Sequence, residues 1–544
     1  MIDEACRGWR GYALLLLLCL GLYVPGLASL PVTDRDEARF AQATRQMLES
    51  GDYLRIRFQD EARNKKPAAI YWLQAASVHL LSDPESDAIW PYRVPSLLGA
   101  LGAVLTIFAF GARMVGRPAA FLGAALLASS LALTVEAHLA KTDAVLLFTG
   151  VLAQGALGEI YRARGAGTAR WALLFWLAEA AATLVKGPVV PGLALTTVLA
   201  LWVADRDARW LKGLAPLWGV PLFAILVVPW FIAISIATGG AFIADAAGQD
   251  FFGKLVSAQE SHGAWPGYYL LLLPVTFWPG SLLLGFAAAA AWRGRGDRAV
   301  RFLIAWAVPF WIVLELVPTK LPHYLLPVFP ALALLAGRAV VDAAPTYPTW
   351  LRRASCGVWA LASLAIIAAL AVAPLGLTHG VDVAGVAAGV VILAFGGATF
   401  RVAWRRVETG LAVRAALIAL LVLPAALALE APRLDPLWLS RDAASMVARY
   451  RPPPDVAVAA VGYAEPSLVF LLGTNTILAS PEDAARRLTA SRGAVALVEE
   501  RDDAAFKKAL SERGWEARSI ERVAGVDYSN GKRMVLTLYR GVPG

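Results

Sequence analysis

Charged side chains crowd into a few short stretches between long apolar runs, and these stretches are where chemistry could take place. Residues 33–40 read Thr-Asp-Arg-Asp-Glu-Ala-Arg-Phe, which places three carboxylates within four positions. Such carboxylates repel one another, so they need nearby cations or a chemical role. On a helix that begins near Asp36, Asp36 and Arg39 lie on one face, with Glu37 beside them. The residues alone fit two interpretations equally well. The acids have a catalytic role, or they lie in the first turn of a helix and are stabilised by its dipole.

Lysines mark the other polar stretches. Lys66 ends the basic run Arg63-Asn64-Lys65-Lys66 before Pro67, and lone lysines are Lys141 before Asp143, Lys254 with His262 eight residues later, and Lys320 before His323 and Tyr324. If the helices bring these cations together, they predict a binding site for a phosphate-bearing ligand. Each lysine alone is explained as well by a side chain that anchors a helix end at the lipid headgroups.

The composition places the elements that carry these residues in a membrane. Of 544 residues, 58% are hydrophobic and only 17% are charged, and the mean hydropathy is +0.58. These values exclude a water-soluble enzyme, a disordered chain and a small disulfide scaffold. Three scattered cysteines without a CxxC motif indicate neither a disulfide framework nor a metal site. The net charge of +9 is spread over short clusters between apolar runs, which argues against a nucleic acid partner.

About thirteen transmembrane helices are predicted, since roughly 20 apolar residues cross the hydrocarbon core. They are placed at 12–30, 94–112, 118–135, 144–160, 171–186, 189–204, 214–236, 267–292, 302–317, 325–341, 355–376, 383–400 and 411–429. Arginines concentrate in alternate connections, which are therefore expected to be cytoplasmic. The first run also resembles a signal peptide, but its length favours a retained span.

The predicted fold class is an all-α polytopic membrane protein with a C-terminal soluble α/β domain. Residues 1–429 form the transmembrane domain, with interfacial helices in the outer loop 31–92, and residues 430–544 form the outer domain. Within the outer domain we predict strands at Val456–Val461, Val495–Val498 and Met534–Tyr539, and helices after Ser480 and at Arg501–Arg513.

The spans themselves are nearly free of charge, with Glu179 and Glu315 as the main exceptions. A transporter places ionisable residues in mid-span along a substrate path and often carries inverted repeats. The sequence shows neither feature clearly, so a lipid or solute transporter is the less favoured alternative. The ionisable residues predict instead a site at the outer membrane surface.

With its order of spans and loops, the sequence resembles membrane glycosyltransferases of the GT-C fold, related to protein O-mannosyltransferases. Within that fold it is most similar to the ArnT family of 4-amino-4-deoxy-L-arabinose lipid A transferases. The similar motifs are Asp36-Glu37 with Arg39, Lys66-Pro67, Asp143, Val185-Lys186-Gly187, Lys254 with His262 and Tyr268-Tyr269, and Lys320-Leu321-Pro322-His323-Tyr324. Two positions depart from the family, since Lys65 stands where an acid is common and Lys254 replaces an arginine.

The resemblance implies roles for nine residues. Those expected to be catalytic are Asp36, Asp143 and Glu37. Those expected to bind substrate are Arg39, Lys66, Lys254, His262, Lys320 and Tyr324. No metal ligand and no certain cofactor is assigned. A divalent metal ion is left open, and Lys65 puts it in doubt because an acid would help to hold it.

The resemblance also implies an activity and a location. The expected partners are an undecaprenyl-phosphate-linked sugar donor, a lipid A acceptor and membrane lipids. Transfer of the amino sugar to a lipid A phosphate at the periplasmic face of the bacterial inner membrane would give resistance to polymyxin and other cationic antimicrobial peptides. The alternative is a GT-C transferase that uses another polyprenyl-phosphate sugar and a protein or glycan hydroxyl.

Overall fold

Apolar helices dominate the structure, a computed structural model. It describes residues 2–33, 35–83, 86–246, 248, 263–342, 347–378, 380–450, 452, 456–491 and 493–544. Within these ranges, eight helices are long and apolar enough to cross a membrane, or ten if each of two bent helix pairs counts as one span. Each of the thirteen predicted segments falls on a helix or a helix pair, but those at 12–30, 171–186 and 189–204 fall on helices outside these ten. The predicted fold class is confirmed, whereas the number of thirteen spans stays a prediction.

The helices of the membrane part are numbered in chain order. They are α1 (Ile2–Ala5), α2 (Arg10–Tyr23), α3 (Asp36–Ser50), α4 (Ala69–Leu81), α5 (Trp90–Met114), α6 (Arg117–Ala128), α7 (Leu131–Ala137), α8 (Asp143–Arg162), α9 (Ala169–Lys186), α10 (Val189–Asp205), α11 (Pro216–Ala237), α12 (Ala241–Ile243), α13 (Tyr268–Thr276), α14 (Leu284–Arg293), α15 (Arg298–Leu316), α16 (Phe329–Val341), α17 (Thr349–Thr378), α18 (Val383–Val391), α19 (Gly397–Arg405) and α20 (Gly410–Ala425).

Shorter turns connect or extend these helices. The 3-10 turns are Arg209–Leu214, Gly280–Leu283, Pro322–Val328, Ala431–Arg433, Asp435–Leu437 and Glu500–Asp502, and the π turns are Ile392–Gly396 and Ala426–Glu430. A two-stranded hairpin, β1 (Arg57–Phe58) and β2 (Glu61–Ala62), lies between α3 and α4.

The span that follows α5 is broken, and the break sets the direction of the segment that carries Glu136. Helices α6 and α7 meet at an angle of 61°. At the junction, Ser129 donates its hydroxyl to the Leu126 carbonyl and Ser130 donates to the Leu127 carbonyl. Side-chain hydroxyls that bond to preceding carbonyls compete with the helical hydrogen bonds and bend the chain.

Close packing of α5 on α8 fixes the start of α8, where Asp143 lies. A Cβ atom on Gly99 of α5 would come within 2.8 Å of the backbone of Ala144. The absence of a side chain at Gly99 therefore lets the two backbones approach one another. The N-terminal end of α8 is held against α5 at this contact.

The C-terminal part is a five-stranded mixed sheet with helices on it. Its strands are β3 (Ala459–Val461), β4 (Ile477–Ala479), β5 (Val495–Glu499), β6 (Trp515–Asp527) and β7 (Lys532–Pro543), in the order β4-β3-β5-β7-β6. β3 is parallel to β4 and β5, whereas β7 is antiparallel to β5 and β6. Its helices are α21 (Leu439–Tyr450), α22 (Pro466–Leu472), α23 (Pro481–Ala490) and α24 (Asp503–Ser511).

The soluble part is joined to α3 by side-chain contacts. Phe470 of α22 is fully buried and its ring packs edge-on against Tyr92, with centroids 5.4 Å apart. Arg45 of α3 donates to the Phe470 carbonyl over 2.9 Å, and Gln42 donates to the Thr474 hydroxyl over 2.8 Å. The division of the chain at residue 430 stays a prediction.

Candidate active site

Helix α3 begins at the acid pair, and its first turn separates the two carboxylates. Asp36 is the first residue of the helix and Glu37 the second. Successive helical residues point about 100° apart, so one side chain can face the interior while its neighbour faces solvent. The Asp36 side chain is exposed, whereas Glu37 is 1% exposed. The two acids therefore occupy different environments.

Glu37 is held in a fully buried ion pair with Arg93 of α5. Arg93 donates Nε to Oε1 over 2.8 Å and Nη2 to Oε2 over 2.9 Å. Glu37 also accepts from the backbone and hydroxyl of Thr33 and from the Ala140 backbone. These bonds outweigh burial and lower the pKa of Glu37. With its oxygens engaged, Glu37 orients the start of α3, and the expectation that it is catalytic becomes a proposal of a positioning role.

Asp36 belongs to a group of six charged or titratable residues that we name the ion cluster. They are Asp36, Glu136, Lys141, Asp143, Lys186 and His323. Lys141 Nζ lies 3.0 Å from Glu136 Oε1, and Lys186 Nζ lies 2.5 Å from Asp143 Oδ1. The members come from α3, α7, the connection between α7 and α8, α8, α9 and the turn before α16. Residues far apart in sequence thus meet at one end of the helix bundle.

His323 bridges the two ion pairs of the cluster. Its Nδ1 lies 3.6 Å from Glu136 Oε1 and its Nε2 lies 3.7 Å from Asp143 Oδ1. The ring of Tyr324 packs edge-on against the His323 ring, 5.0 Å away, and Lys186 Nζ lies 5.3 Å from the centre of the Tyr324 ring. A lysine over an aromatic face gains a favourable electrostatic contact. Tyr324 is thereby placed at the edge of the ion cluster.

The charges around Asp36 keep it ionised. The surrounding protein displaces part of the water near Asp36, which alone would raise its pKa, but Lys141, Arg63, His323 and Lys186 together lower the pKa below its ordinary value. Arg63 lies at the end of the β1–β2 hairpin, and its guanidinium is 5.2 Å from the centre of the Phe40 ring. Asp36 is therefore an accessible carboxylate at neutral pH, suited to stabilise or hold positive charge rather than to give up a proton.

Lys141 is a permanent cation of the cluster. Burial opposes its charge, but the carboxylates of Glu136, Asp143 and Asp36 outweigh burial and raise the pKa of Lys141. Two lysines and Arg63 thus face three carboxylates. The cluster is close to neutral overall, so its lysines are not free phosphate ligands in this state.

Lys320 has a different environment. Its ammonium group donates to the carbonyls of Ala264 and Val317, over 2.9 and 2.6 Å. Among the described residues, no carboxylate lies within ion-pairing distance of Lys320. Burial lowers the pKa of Lys320, and the negative charge of Glu315 opposes this effect only in part. Lys320 therefore carries a positive charge that neutral carbonyls solvate, as a site for an incoming anion requires.

The structure brings some of the expected site residues together and leaves others apart. Asp36, Asp143 and Tyr324 meet at the ion cluster. Arg39 is half-buried on α3, one turn after Asp36, and Lys66 is half-buried in the turn before α4. Lys254 and His262 lie outside the described residues, so their expected roles stay predictions.

The described acids do not suit a metal ion. No group of three or more His, Cys, Asp or Glu side chains in the described ranges is arranged to hold one. Glu136 and Asp143 instead each face a lysine. The lysines thus occupy carboxylates that a metal ion would need as ligands.

The nine residues with an expected role do not include Glu136, Lys141, Lys186, His323 and Arg63, although the sequence predicts Lys141 as one of the lysines that converge on a phosphate and places Lys186 and His323 in motifs similar to the family. Their signal was present, because the lysines are isolated cations on a side of the membrane that carries few others. The sequence does not show which carboxylate each lysine pairs with, because the partner lies on another turn or helix. Arg93 gives no sequence signal at all, because it resembles an arginine at the end of a span.

Comparison with known proteins agrees with this architecture. Residues 12–240 match the family model described as dolichyl-phosphate-mannose-protein mannosyltransferase. The undecaprenyl phosphate-alpha-4-amino-4-deoxy-L-arabinose arabinosyl transferase of Pseudomonas aeruginosa is 30% identical over 343 residues, 60% of this chain and 59% of the relative. Its counterpart from Pseudomonas fluorescens is 31% identical over 349 residues, 61% of this chain and 60% of the relative. The chain thus spans about three fifths of the length of these relatives.

A solved structure covers more of the chain. ArnT from Cupriavidus metallidurans, bound to undecaprenyl phosphate, superposes with a TM-score of 0.77 at 20% identity, over 96% of this chain and 97% of that one. The same protein in the apo state gives a TM-score of 0.76. The chain therefore shares the fold of this ArnT structure over nearly its whole length and is similar in sequence to the arabinosyl transferases over about three fifths of its own length.

Proposed function

We propose that this protein is a membrane glycosyltransferase that moves 4-amino-4-deoxy-L-arabinose from undecaprenyl phosphate to a phosphate of lipid A. The observation that carries the proposal is the accessible, ionised Asp36 beside a buried ion cluster at one end of the bundle. The similarity to the arabinosyl transferases supports the identity of the sugar and of its carrier. We place the site at the periplasmic face of the bacterial inner membrane.

The proposed reaction makes few demands for proton transfer. A phosphate monoester is largely ionised at neutral pH, because its second pKa is about 6, and its oxygen attacks the sugar carbon that carries the lipid phosphate. The bond from that carbon to the donor phosphate breaks, and undecaprenyl phosphate leaves as a stable anion. Neither a strong base nor a strong acid is required. The enzyme has to bring two anions together and stabilise the sugar as it becomes cationic.

Lys320 is the residue that we propose for the donor phosphate. Its ammonium has no carboxylate partner among the described residues and is solvated by two carbonyls. A phosphate oxygen is a stronger acceptor for such a group than a neutral carbonyl. We propose that Lys66, Lys254, His262 and Tyr324 complete the phosphate site, with Tyr324 as a hydrogen-bond donor.

Asp36 is the residue that we propose for the reacting sugar. Its negative charge stabilises the oxocarbenium-like centre or orients the acceptor, and the cations around it keep it charged throughout the reaction. Asp143, which is paired with Lys186, assists Asp36 or binds the ammonium group of the sugar. Arg39, one turn along α3, faces the same approach and contributes to substrate binding.

A polar cleft at the other end of α3 supports recognition of a large acceptor. It has a volume of about 760 Å³ and is bounded by α3, the β1–β2 hairpin and the loop and strand at Thr474–Leu478. Its lining includes the amides Gln46, Gln59 and Asn475, the arginines Arg55, Arg57 and Arg487, and the acids Glu49, Asp52, Asp60 and Glu61. Amides, guanidinium groups and carboxylates together provide donors and acceptors for saccharide hydroxyl groups. We propose that this cleft binds the saccharide part of the acceptor.

Mass spectrometry of lipid A tests the proposed function. Cells that express the protein in a background without other aminoarabinose transferases should show lipid A with the added mass of the amino sugar and increased polymyxin resistance. Cells that express Asp36→Asn at the same level serve as the control. Unmodified lipid A in both would leave the alternative, a transferase that uses another polyprenyl-phosphate sugar and a hydroxyl acceptor. In that case Asp36 would have to accept a proton as a general base.

A further inference from the structure

A second charged pocket lies at the opposite end of the bundle from the ion cluster. Helix α8 carries Asp143 at its first residue and Arg162 at its last, and 20 residues at 1.5 Å each span about 30 Å. The pocket lies beside the Arg162 end and has a volume of about 650 Å³. It is lined by Arg164, Ala204, Asp205, Asp207, Arg209, Trp210, Arg298 and Arg301. It is thus remote from the proposed transfer site and independent of it.

The pocket has more positive than negative charge. Of its four arginines, Arg301 pairs with Asp205, and Arg209 makes two bonds to Asp207, at 3.0 and 3.1 Å. Arg164 and Arg298 have no carboxylate within 4 Å among the described residues. Arg298 lies over the Tyr161 ring, 4.5 Å from its centre, and donates Nη2 to the Tyr161 carbonyl. Both aspartates are therefore occupied, and two positive charges remain unbalanced.

Two buried donors in this pocket lack an acceptor. Trp210 is 3% exposed, and its indole Nε1 makes no hydrogen bond within the described part of the chain. The buried Nε of Arg298 is also without a partner there. A buried donor without an acceptor destabilises the fold. Among the residues that the structure describes, the pocket has no matching unsatisfied acceptor. The group that completes the pocket therefore accepts hydrogen bonds and carries negative charge.

The surroundings of the pocket favour a lipid over a free anion. Its walls come from the ends of apolar helices α8, α10 and α15. On α10, one turn before Asp205, Trp202 is 51% exposed and Val203 is 70% exposed. Both lie within one helical turn of Asp205, which lines the pocket, and they offer an apolar surface for acyl chains. Basic pockets between helix ends bind anionic phospholipid headgroups in membrane proteins.

We propose that this pocket binds the phosphate of an anionic phospholipid, with Arg164 and Arg298 supplying charge and Trp210 donating its indole N–H. The bound lipid satisfies the two donors and ties the connections after α8 and α10 to the start of α15. A single-charge headgroup phosphate, as in phosphatidylglycerol, has the acceptor atoms that this requires.

Native mass spectrometry of the full-length protein in detergent tests the proposal. Phosphatidylglycerol should bind to the wild type more tightly than phosphatidylcholine. Arg298→Gln should weaken phosphatidylglycerol binding about tenfold, since a hydrogen bond to a charged group is lost. Trp210→Phe, which keeps an aromatic side chain but replaces the indole by a smaller ring without an N–H donor, should weaken it several-fold.

The control is Arg295→Gln, which removes the same charge from the same connection. Arg295 is stacked on Trp292 and does not line the pocket. Equal loss in Arg295→Gln and Arg298→Gln would show general attraction to a basic surface and overturn the proposal. So would unchanged binding by both Arg298→Gln and Trp210→Phe. Displacement of the lipid by millimolar inorganic phosphate would instead identify a free-anion site. Thermal unfolding of each variant separates lost binding from lost folding.

Discussion

Glu37 of α3 and Arg93 of α5 form a two-point ion pair that is fully buried. Arg93 also donates to the carbonyls of Leu27, Leu30 and Pro31, in the connection that enters α3. One guanidinium group thereby ties together α2, α3 and α5. The position of Asp36, the residue beside Glu37, depends on this pair.

Glu37→Gln should destabilise the protein by about 3–5 kcal/mol, because it leaves the buried Arg93 charge without its counterion. Thermal or denaturant unfolding in detergent measures the effect. Asp36→Asn is the matched control on the neighbouring residue, and it should leave the unfolding temperature nearly unchanged. Equal unfolding temperatures for Glu37→Gln and the wild type would contradict the structural role of the pair.

The same pair predicts a pH dependence of stability. The pKa of Glu37 is lowered in the folded protein, so its contribution is fully present above the ordinary glutamate value of about 4.3 and is lost as pH falls through the lowered value. The wild type should therefore lose stability on acidification below about pH 4. Glu37→Gln should show a shallower loss over that range, measured by unfolding at a series of pH values.

Asp36→Asn should lower the rate of sugar transfer by about 100-fold or more, because it removes the charge that supports the sugar cation. Binding of the undecaprenyl-phosphate donor should stay within about twofold, since Asp36 does not hold the phosphate. A reconstituted transfer assay and a separate donor-binding measurement separate the two effects. Normal turnover by the Asp36→Asn enzyme would contradict the proposal that Asp36 stabilises the sugar cation.

Arg63→Gln should move the acidic limb of the pH–rate profile to higher pH. Arg63 is one of the charges that lower the pKa of Asp36, so its removal lets Asp36 take up a proton at less acidic pH. Activity is present above the Asp36 pKa and lost as pH falls through it. Arg55→Gln, an exposed position in the same loop, should leave the limb where it is.

Lys320 should make donor binding sensitive to alkaline pH. Burial lowers its pKa, so the ammonium is charged below that value and donor affinity falls as pH rises through it, before the ordinary lysine value of about 10.4. Lys320→Gln should raise the KM for the donor about tenfold at neutral pH. Lys320→Arg stays charged to higher pH and should extend binding into the alkaline range. A KM unaffected by Lys320→Gln would remove Lys320 from the donor site.

Arg487→Gln should raise the KM for the acceptor while leaving the KM for the donor unchanged, because Arg487 lines the polar cleft and not the ion cluster. Arg486→Gln is the matched control, since Arg486 is adjacent on α23, pairs with Asp483 and does not line the cleft. Steady-state kinetics with each substrate varied in turn tests this. A shift in donor KM, or the same shift in both variants, would argue against a distal acceptor site.

The sequence predicts the order of helices well because apolar runs and arginine-rich connections carry that information directly. Short or exposed strands are harder to predict, because their sequence pattern contains less information about structure. Ile477–Ala479 has only three residues, and Trp515–Asp527 is largely exposed and rich in charge, so neither shows the alternation that marks a strand. Ser480 does cap the helix that begins at Pro481, as its pattern predicts.

The site is harder to read than the fold, because adjacent residues can have opposite roles. Asp36 and Glu37 are similar in chemistry, and only the position of Arg93 on another helix decides which one is buried. Lys141 and Lys186 look alike as lone cations, but Lys141 pairs with Glu136 only five residues upstream, whereas Lys186 pairs with Asp143 of another helix, which only the folded bundle brings near. Spacing along the chain contains no information about a pair of the second kind.

Phe470 and Thr474 belong to the soluble part, yet they hold the helix that bears Asp36. The soluble part therefore holds α3 in place and also forms one wall of the cleft. An exchange of this part between related proteins has to carry α3 with it, since new residues at 470–476 would meet an α3 surface that was selected for a different partner.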